Sequence, residues 1–209
     1  MGLLAALAAG WLAACADSGY QYVKSPSEDA FFKVPDGWDL FEIRDAPPED
    51  RAEPIDLDGP SPWTMVFDAA PEPSPAHAGE PAPSAPTGMA IVQDITGSLR
   101  DNVTLRHLRA SALDGEADPK ELALQGDPRI EMIHYEDIIM PSGLRGTHMV
   151  FNLKVDEDTW TTIDHTALLN GPTTKAYIFS VRCSAECYLA HRAEISRVVD
   201  SWTVGKDRR

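Results

Sequence analysis

Charged side chains are absent from the first 15 residues of the chain, MGLLAALAAGWLAAC. The apolar stretch from Leu3 to Leu12 has the length of about 7–15 residues that is typical of the hydrophobic part of a secretory signal. It is shorter than the roughly 20 apolar residues that a membrane-spanning helix needs. Polar residues at helical spacing are also absent before Asp17, which argues against a buried amphipathic helix. We therefore predict a signal peptide over residues 1–15, although the Lys or Arg that normally opens one is missing.

The last four residues of this segment, Leu12-Ala13-Ala14-Cys15, resemble the bacterial lipobox, in which a cysteine is acylated and becomes the mature N-terminus. The resemblance implies lipidation at Cys15 (palmitate among the attached chains), followed by a short tether over residues 16–19. Two or three acyl chains hold a protein stably on a membrane, whereas a single chain binds only reversibly. The expected location is therefore the outer face of a bacterial cell membrane.

Basic residues are scarce, because 18 Lys and Arg stand against 33 Asp and Glu, for a net charge of -15. Such a surface repels nucleic acid and anionic lipid headgroups, so no nucleic-acid partner is expected. The hydrophobic content of 43% and the charged content of 24% are ordinary for a globular protein. Residues 16–209 are enough for one domain of common size.

Cysteine is also rare, with 3 in the chain. If Cys15 carries lipid, Cys183 and Cys187 remain, and an exported location makes a disulfide between them the default. The ring that this bond closes is small, so the loop-entropy relation gives a stabilisation of about 2 kcal/mol. The pair also lies at a predicted strand-to-helix junction, where the helix N-terminus lowers a thiol pKa. A thiol-redox or metal-handling site using these two cysteines is therefore a second alternative.

Recognised catalytic motifs are missing: there is no Gly-x-Ser-x-Gly and no His-Glu-x-x-His. We predict neither an enzyme, nor a cofactor, nor a metal site. The best metal candidate is His148 with His165, which would be cross-strand neighbours if the hairpin at residues 156–158 has a tight register. A slip of one residue separates them, and two histidines alone make a poor site. Solvated or hydrogen-bonded strand histidines are the commoner arrangement.

Hydrophobic patterning and turn residues predict eight strands, joined largely by connections too short for a parallel crossover. The predicted strands cover residues 20–24, 30–34, 63–67, 89–95, 129–140, 144–155, 159–169 and 175–182. A middle helix is predicted to begin between residues 101 and 104 and to end at 114–115. A last helix over about 185–200 is capped by Ser184. Five aromatic side chains are expected in the core rather than in a ligand cleft: Trp38, Trp63, Tyr177, Phe179 and Trp202.

Two proline-rich segments interrupt this pattern. Residues 44–62 contain five prolines and acidic side chains and are predicted to form an irregular surface excursion. Residues 70–87 contain six prolines and no large apolar side chain. We predict that this second segment is a mobile loop that buries little surface and joins two neighbouring strands.

The opening segment Phe32-Lys33-Val34-Pro35-Asp36-Gly37-Trp38, the middle helix, the meander and a closing helix ending at Ser201-Trp202 together resemble the PsbP-like fold. The actinobacterial members of that fold include envelope lipoproteins of the LpqN type. The resemblance covers about residues 20–204 and leaves a short tail at 205–209. It implies an α+β domain whose antiparallel meander is sandwiched by helices. It also implies a non-catalytic accessory role, docking to an envelope protein. The alternative is a carrier that holds a lipid or glycan in a cleft beside the sheet.

Overall fold

The computed structural model describes residues 19–25, 29–43, 62–97 and 99–205. The strands in these ranges are β1 (Tyr20–Ser25), β2 (Ala30–Pro35), β3 (Asp39–Ile43), β4 (Trp63–Asp68), β5 (Thr87–Asp94), β6 (Ile130–Ile139), β7 (Arg145–Lys154), β8 (Trp160–Leu169), β9 (Lys175–Ser184) and β10 (Thr203–Val204). The helices are α1 (Leu99–Asn102), α2 (Leu105–Ala110), α3 (Pro119–Leu124) and α4 (Ala185–Asp200). Short 3-10 turns cover Pro75–Gly79 and Ser111–Leu113.

The strands form two antiparallel sheets. A three-stranded sheet has the order β1-β2-β10, and a seven-stranded sheet has the order β3-β4-β5-β9-β8-β7-β6. The run from β6 to β9 is the predicted meander, in which each strand pairs with the next. The predicted α+β class is therefore confirmed.

The two faces of the seven-stranded sheet are covered by different elements. One face, called here the α4 face, carries Phe67 and Phe179, which pack against Phe32 of β2 and Ile195 of α4. The opposite face, called the α2 face, packs against Leu108 of α2 and the turn that follows it. Because α4 covers one face and α1, α2 and α3 lie toward the other, helices sandwich the sheet as predicted.

The last helix begins and ends where the sequence predicts. The Ser184 side chain accepts a hydrogen bond from the backbone amide of Cys187, which satisfies one of the unpaired donors of the first turn. Glu186 lies in that turn, where a carboxylate favours the positive end of the helix dipole. The helix continues to Asp200, and its buried side chains hold it on the sheet.

The middle helix is not the single helix that was predicted. The chain forms α1, a break before α2, a 3-10 turn and then α3, which the sequence analysis missed. Thr104 caps α2 in a capping box with His107, and Asp114 ends the following turn with a left-handed φ of 54°. Residues that favour a helix start are present at α3. The Asp118 side chain accepts a hydrogen bond from the amide of Lys120, and Pro119 occupies the first turn.

The proline-rich segment at 70–87 joins β4 to β5, which pair as predicted, but the prediction of a mobile loop is wrong. Ala78 is only 3% exposed, and its 3-10 turn packs against β4. The amide of Ser184 donates to the Pro83 carbonyl over 2.8 Å, and the Thr161 hydroxyl donates to the Pro81 carbonyl. Prolines lose little entropy on ordering, so a few such bonds are enough to hold this segment.

The buried carboxylate of Asp68 organises the start of the same segment. One oxygen accepts from the amide of Ser74 at 2.9 Å and lies 2.7 Å from His77 Nδ1. The other oxygen accepts from the amide of Ala70 at 3.2 Å. Asp68 is 1% exposed, so these bonds replace the water that it loses.

Several predictions fall outside the described residues. They concern the signal peptide over 1–15 with Cys15, the tether at 16–18, the excursion over 44–61 and the tail from 206 onward. Among the described residues, no helix is both long enough and apolar enough to span a membrane.

Candidate functional site

A disulfide joins Cys183, near the end of β9, to Cys187 in the first turn of α4. Cys183 is 0% exposed and Cys187 is 7% exposed, and both belong to the core of the α4 face. Redox and metal chemistry need an accessible thiolate. The buried, bonded pair therefore favours a structural disulfide over the redox or metal-handling alternative.

The proposed cross-strand pair of His148 and His165 is wrong by one residue. In the β7–β8 register, His148 lies opposite Thr166, whereas His165 lies opposite Met149. Successive residues of a strand point to opposite faces, so the two histidines lie on different faces of the sheet. His148 is on the α4 face and His165 is on the α2 face.

The turn between β7 and β8 sets this register. Its residues 155–159 form a loop closed by a bond from the amide of Val155 to the Thr159 carbonyl. The Asp156 carboxylate accepts from the amides of Asp158 and Thr159, at 3.0 and 2.9 Å. A hydrogen bond from the Thr159 side chain, together with these backbone bonds, lowers the pKa of Asp156. The acidic tripeptide is thus a polar turn, as the sequence indicated.

His165 is buried beneath α2 and is 1% exposed. Its Nε2 lies 3.2 Å from both the Ser111 hydroxyl and the Leu108 carbonyl, and its Nδ1 has no partner among the described residues. Burial lowers the pKa of His165 to about 4, so the ring is neutral near pH 7. Ser111 and His165 resemble a nucleophile and its base, but no carboxylate in the described part of the chain orients Nδ1. The pair therefore has a packing role.

A β-bulge in β6 determines which side chains share the face of His148. Met132 lies opposite Phe151, but His134 lies opposite Val150, so Ile133 is an extra residue. The extra residue reverses the alternation, because His134 and Glu136 would otherwise point to the α2 face. With the bulge, Glu136 lies directly opposite His148.

His134, Glu136 and His148 form a cluster on the α4 face at the edge of the sheet. One potential ligand atom from each lies within 4.8 Å of the other two. His134 Nε2 is 3.8 Å from a Glu136 carboxylate oxygen, and the two imidazole rings have centroids 5.2 Å apart. The side chains of His134 and Glu136 are 48% and 62% exposed, whereas that of His148 is 23% exposed. The cluster is open to solvent on the β6 side.

A buried pair of residues holds His148 in place. His148 Nε2 lies 2.8 Å from one oxygen of the Asp164 carboxylate, and the Tyr188 hydroxyl of α4 donates to the other oxygen over 2.9 Å. The Asp164 hydrogen bond raises the pKa of His148 and outweighs the opposing effect of burial. Burial also raises the pKa of Tyr188, so its hydroxyl keeps its proton and remains a donor. Asp164 thus fixes the orientation of the imidazole.

The same edge of the sheet exposes apolar side chains. Ile133 is 55% exposed, Ile139 is 85% exposed and Met140, which follows the strand, is 41% exposed. Leu124, at the end of the α3 helix that contacts β6, is 79% exposed. Among the described residues, no strand pairs with the outer side of β6. We call this surface, defined by these four residues, the β6 edge.

A cleft of about 360 Å³ lies at the small sheet. Its lining residues are Lys24, Asp29, Ala30, Phe31, Thr203 and Gly205. The aromatic residues that could have lined a ligand cleft pack inward, as the sequence analysis predicted. Trp38, Tyr177 and Phe179 are 4%, 4% and 1% exposed, and Phe179 stacks on Trp202 with centroids 5.0 Å apart.

The sequence analysis missed His134, Glu136 and Asp164. No spacing rule joins the three positions, because the bulge at Ile133 brings the first two beside His148. The register that separates His148 from His165 is also the one that places Asp164 on the same face as His148. The signal that was present is compositional: β6 has an unbroken run of polar side chains over residues 134–137, which is unusual for a strand buried on both faces.

Several solved structures resemble the fold of this chain. The cyanobacterial PsbP protein of Synechocystis sp. PCC 6803, known as CyanoP, is 17% identical, with a TM-score of 0.51 over 94% of this chain and 100% of its own. LpqN of Mycobacterium tuberculosis, described as involved in cell envelope biogenesis, is 14% identical, with a TM-score of 0.49 over 90% of this chain and 92% of its own. The Saccharomyces cerevisiae Ran-binding protein Mog1p is 10% identical, with a TM-score of 0.47 over 88% of this chain and 95% of its own.

The fold is therefore PsbP-like. No protein-family model matches the chain, and no curated protein matches it. At identities of this size, the likeness concerns the fold alone.

Proposed function

We propose that this protein is an exported lipoprotein that is held on the outer face of the cell membrane through Cys15. It docks a protein of the cell envelope along the β6 edge and catalyses no reaction itself. The observation that carries the docking role is the set of exposed apolar side chains on and beside β6, whose outer side pairs with no strand of the described residues.

The anchor rests on the sequence and on the state of the other cysteines. The lipobox-like Leu12-Ala13-Ala14-Cys15 follows directly on an apolar run of signal-peptide length. A disulfide between Cys183 and Cys187 agrees with export, since such bonds persist in oxidising compartments. The net charge of -15 keeps the domain soluble and away from anionic headgroups.

The docking surface rests on the β6 edge. An outer strand offers a row of backbone donors and acceptors to which a partner can add an extended segment. Ile139 and Ile133 supply apolar contact area beside that row. The exposed Glu131, Glu136 and Asp137 make the edge acidic, so the expected partner is a protein with a basic extended segment.

The proposal that the protein catalyses no reaction is based on the polar groups of the described residues. The arrangement that most resembles a catalytic pair, Ser111 with His165, lacks a carboxylate on Nδ1, and its histidine is 1% exposed. Cys183 and Cys187, the cysteines of the described residues, are bonded to each other. Neither set offers an accessible nucleophile.

Cell fractionation of the full chain and of Cys15→Ala tests the anchor. The wild type should sediment with membranes, and the variant should appear in the soluble or precursor fraction, because it lacks the acylated thiol. Equal membrane retention of both proteins would contradict the anchor.

Affinity purification from detergent-solubilised cells tests the docking surface. Ile139→Lys places a charge on the β6 edge and should abolish recovery of a specific partner band. Leu189→Lys is the matched control, because Leu189 is also exposed, at 71%, but lies on α4. If both variants recover the same bands as the wild type, the β6 edge is not the docking surface.

A further inference from the structure

We infer that His134, Glu136 and His148 form a binding site for one divalent transition-metal ion of the zinc type. Asp164 and Tyr188 act as positioning residues for this site. The inference goes beyond the docking role: Glu136 belongs to both surfaces, but zinc binding is measured on the chain alone.

The donor set carries the first step. Two imidazoles and one carboxylate are ligands that zinc accepts, and three protein ligands leave a position for water or for a partner's side chain. Magnesium and calcium favour oxygen ligands, so a site with two nitrogen donors selects against them.

The distances carry the second step. Ligand atoms around a tetrahedral zinc ion lie about 3.3 Å apart, given bonds of about 2.0–2.1 Å. One potential ligand atom from each of the three residues already lies within 4.8 Å of the other two. His134 and Glu136 are the more exposed members, at 48% and 62%, so rotation about their side-chain bonds can close the remaining gap without moving the core.

The support of His148 carries the third step. A metal-bound histidine commonly engages a carboxylate through its second ring nitrogen, which fixes the ring and increases its basicity as a ligand. His148 Nε2 has this contact with Asp164 at 2.8 Å, so Nδ1 is the nitrogen that remains for a metal. Tyr188 in turn holds the far carboxylate oxygen at 2.9 Å.

The bulge at Ile133 is an independent observation. It places His134 opposite Val150 and Glu136 opposite His148, and without it both ligands would lie on the other face of the sheet. Bulges commonly redirect side chains beside functional sites. The same bulge turns Tyr135 toward the core of the α2 face, so it serves packing on one face and brings the ligands together on the other.

Isothermal titration of zinc chloride into the full chain, purified in detergent and stripped with a chelator, tests the inference. We expect one ion per chain, unchanged by an excess of magnesium. His134→Ala and Glu136→Gln should each weaken binding at least tenfold, and Asp164→Asn should weaken it about 10–100-fold. Cobalt should give the visible absorption of a four-coordinate ion in the wild type and not in His134→Ala.

His191→Ala is the matched control, because His191 has a similar exposure of 47% and its own glutamate, Glu194, at 3.3 Å. It should bind zinc like the wild type. Because Asp164 is buried, thermal unfolding of Asp164→Asn identifies a folding defect, while the exposed His134 variant keeps the test decisive. The absence of zinc binding by the wild type, or equal binding by His134→Ala and His191→Ala, would overturn the inference.

Discussion

His148 and His165 lie one position out of register on adjacent strands, yet their surroundings differ completely. His148 faces the α4 side near the open sheet edge, where Asp164 raises its pKa and two exposed side chains approach it. His165 faces the α2 side, where burial lowers its pKa to about 4. The centre of the α2 face is closed and carries stability, whereas the β6 end of the sheet is open and available for binding.

The difference shows how one sheet can separate stability from binding. On the closed face, a polar group is satisfied inside the protein or remains neutral, so its loss destabilises the fold. At the open edge, polar and apolar side chains keep contact with water, so they can change with little effect on folding. The predictions below run from closed positions to open ones.

The largest loss in the free energy of unfolding is expected when the ion pair between Arg109 of α2 and Asp118 of α3 is broken. Their side chains are 12% and 0% exposed, and Nη2 lies 2.6 Å from the carboxylate. Arg109→Ala leaves a buried carboxylate without its partner, which should cost about 3–5 kcal/mol. Chemical denaturation of both proteins measures the difference.

Arg106→Ala is the control for that prediction, because Arg106 and Glu121 join the same two helices at the surface. Their side chains are 62% and 41% exposed, so the variant should lose about 0–1 kcal/mol. Equal losses for the two arginine variants would show that the helices do not form a closed layer.

The second prediction is that the stability of the fold depends on pH because of His165. Its folded-state pKa, about 4, lies below the unfolded value of about 6.5, so the unfolded chain binds the extra proton between these values. The stability from the neutral ring is complete above about pH 6.5 and is lost as the pH falls toward 4, by about 3 kcal/mol. Denaturation of the wild type and of His165→Gln across this range should show a steeper decline for the wild type. Parallel curves would contradict this account of His165.

The third effect concerns the proline-rich segment at 70–87. Asp68→Ala removes the acceptor for Ser74, His77 and Ala70 and should cost about 1–3 kcal/mol. Deletion of residues 71–86 should likewise lower the melting temperature by several degrees. Hydrogen exchange should rise in this segment in Asp68→Ala. An unchanged melting temperature after the deletion would show that the segment does not pack.

The smallest change in stability is expected for substitutions at the open edge. Ile139→Lys and Glu136→Gln change exposed side chains, so each should alter stability by less than about 0.5 kcal/mol. Thermal unfolding checks this, and a loss of several degrees would place these residues in the folded core instead.

Much of the fold follows from local sequence signals. The turn residues around Gly143 and Gly171 and the cap at Ser184 placed the meander and the last helix within about two residues. The predicted exported location, with Cys183 and Cys187 as the remaining cysteines, also led to the disulfide that the structure contains. These features depend on neighbours along the chain, so the sequence carries them directly.

The features that were missed depend on contacts between distant segments. The proline-rich composition of 70–87 suggested mobility, but the buried Asp68 and the Ser184 amide hold that segment from outside it. The three-residue ligand cluster depends on a bulge of one residue, which changes the face without changing the hydrophobic pattern. Periodicity alone does not distinguish these arrangements.

Photo-cross-linking in intact cells tests most directly whether the β6 edge is the working surface. A photoreactive residue at position 139 of the full chain should give one discrete protein adduct. The same residue at position 189, on α4, should not give that adduct. Equal adducts from both positions, or an adduct from 189 alone, would contradict the account.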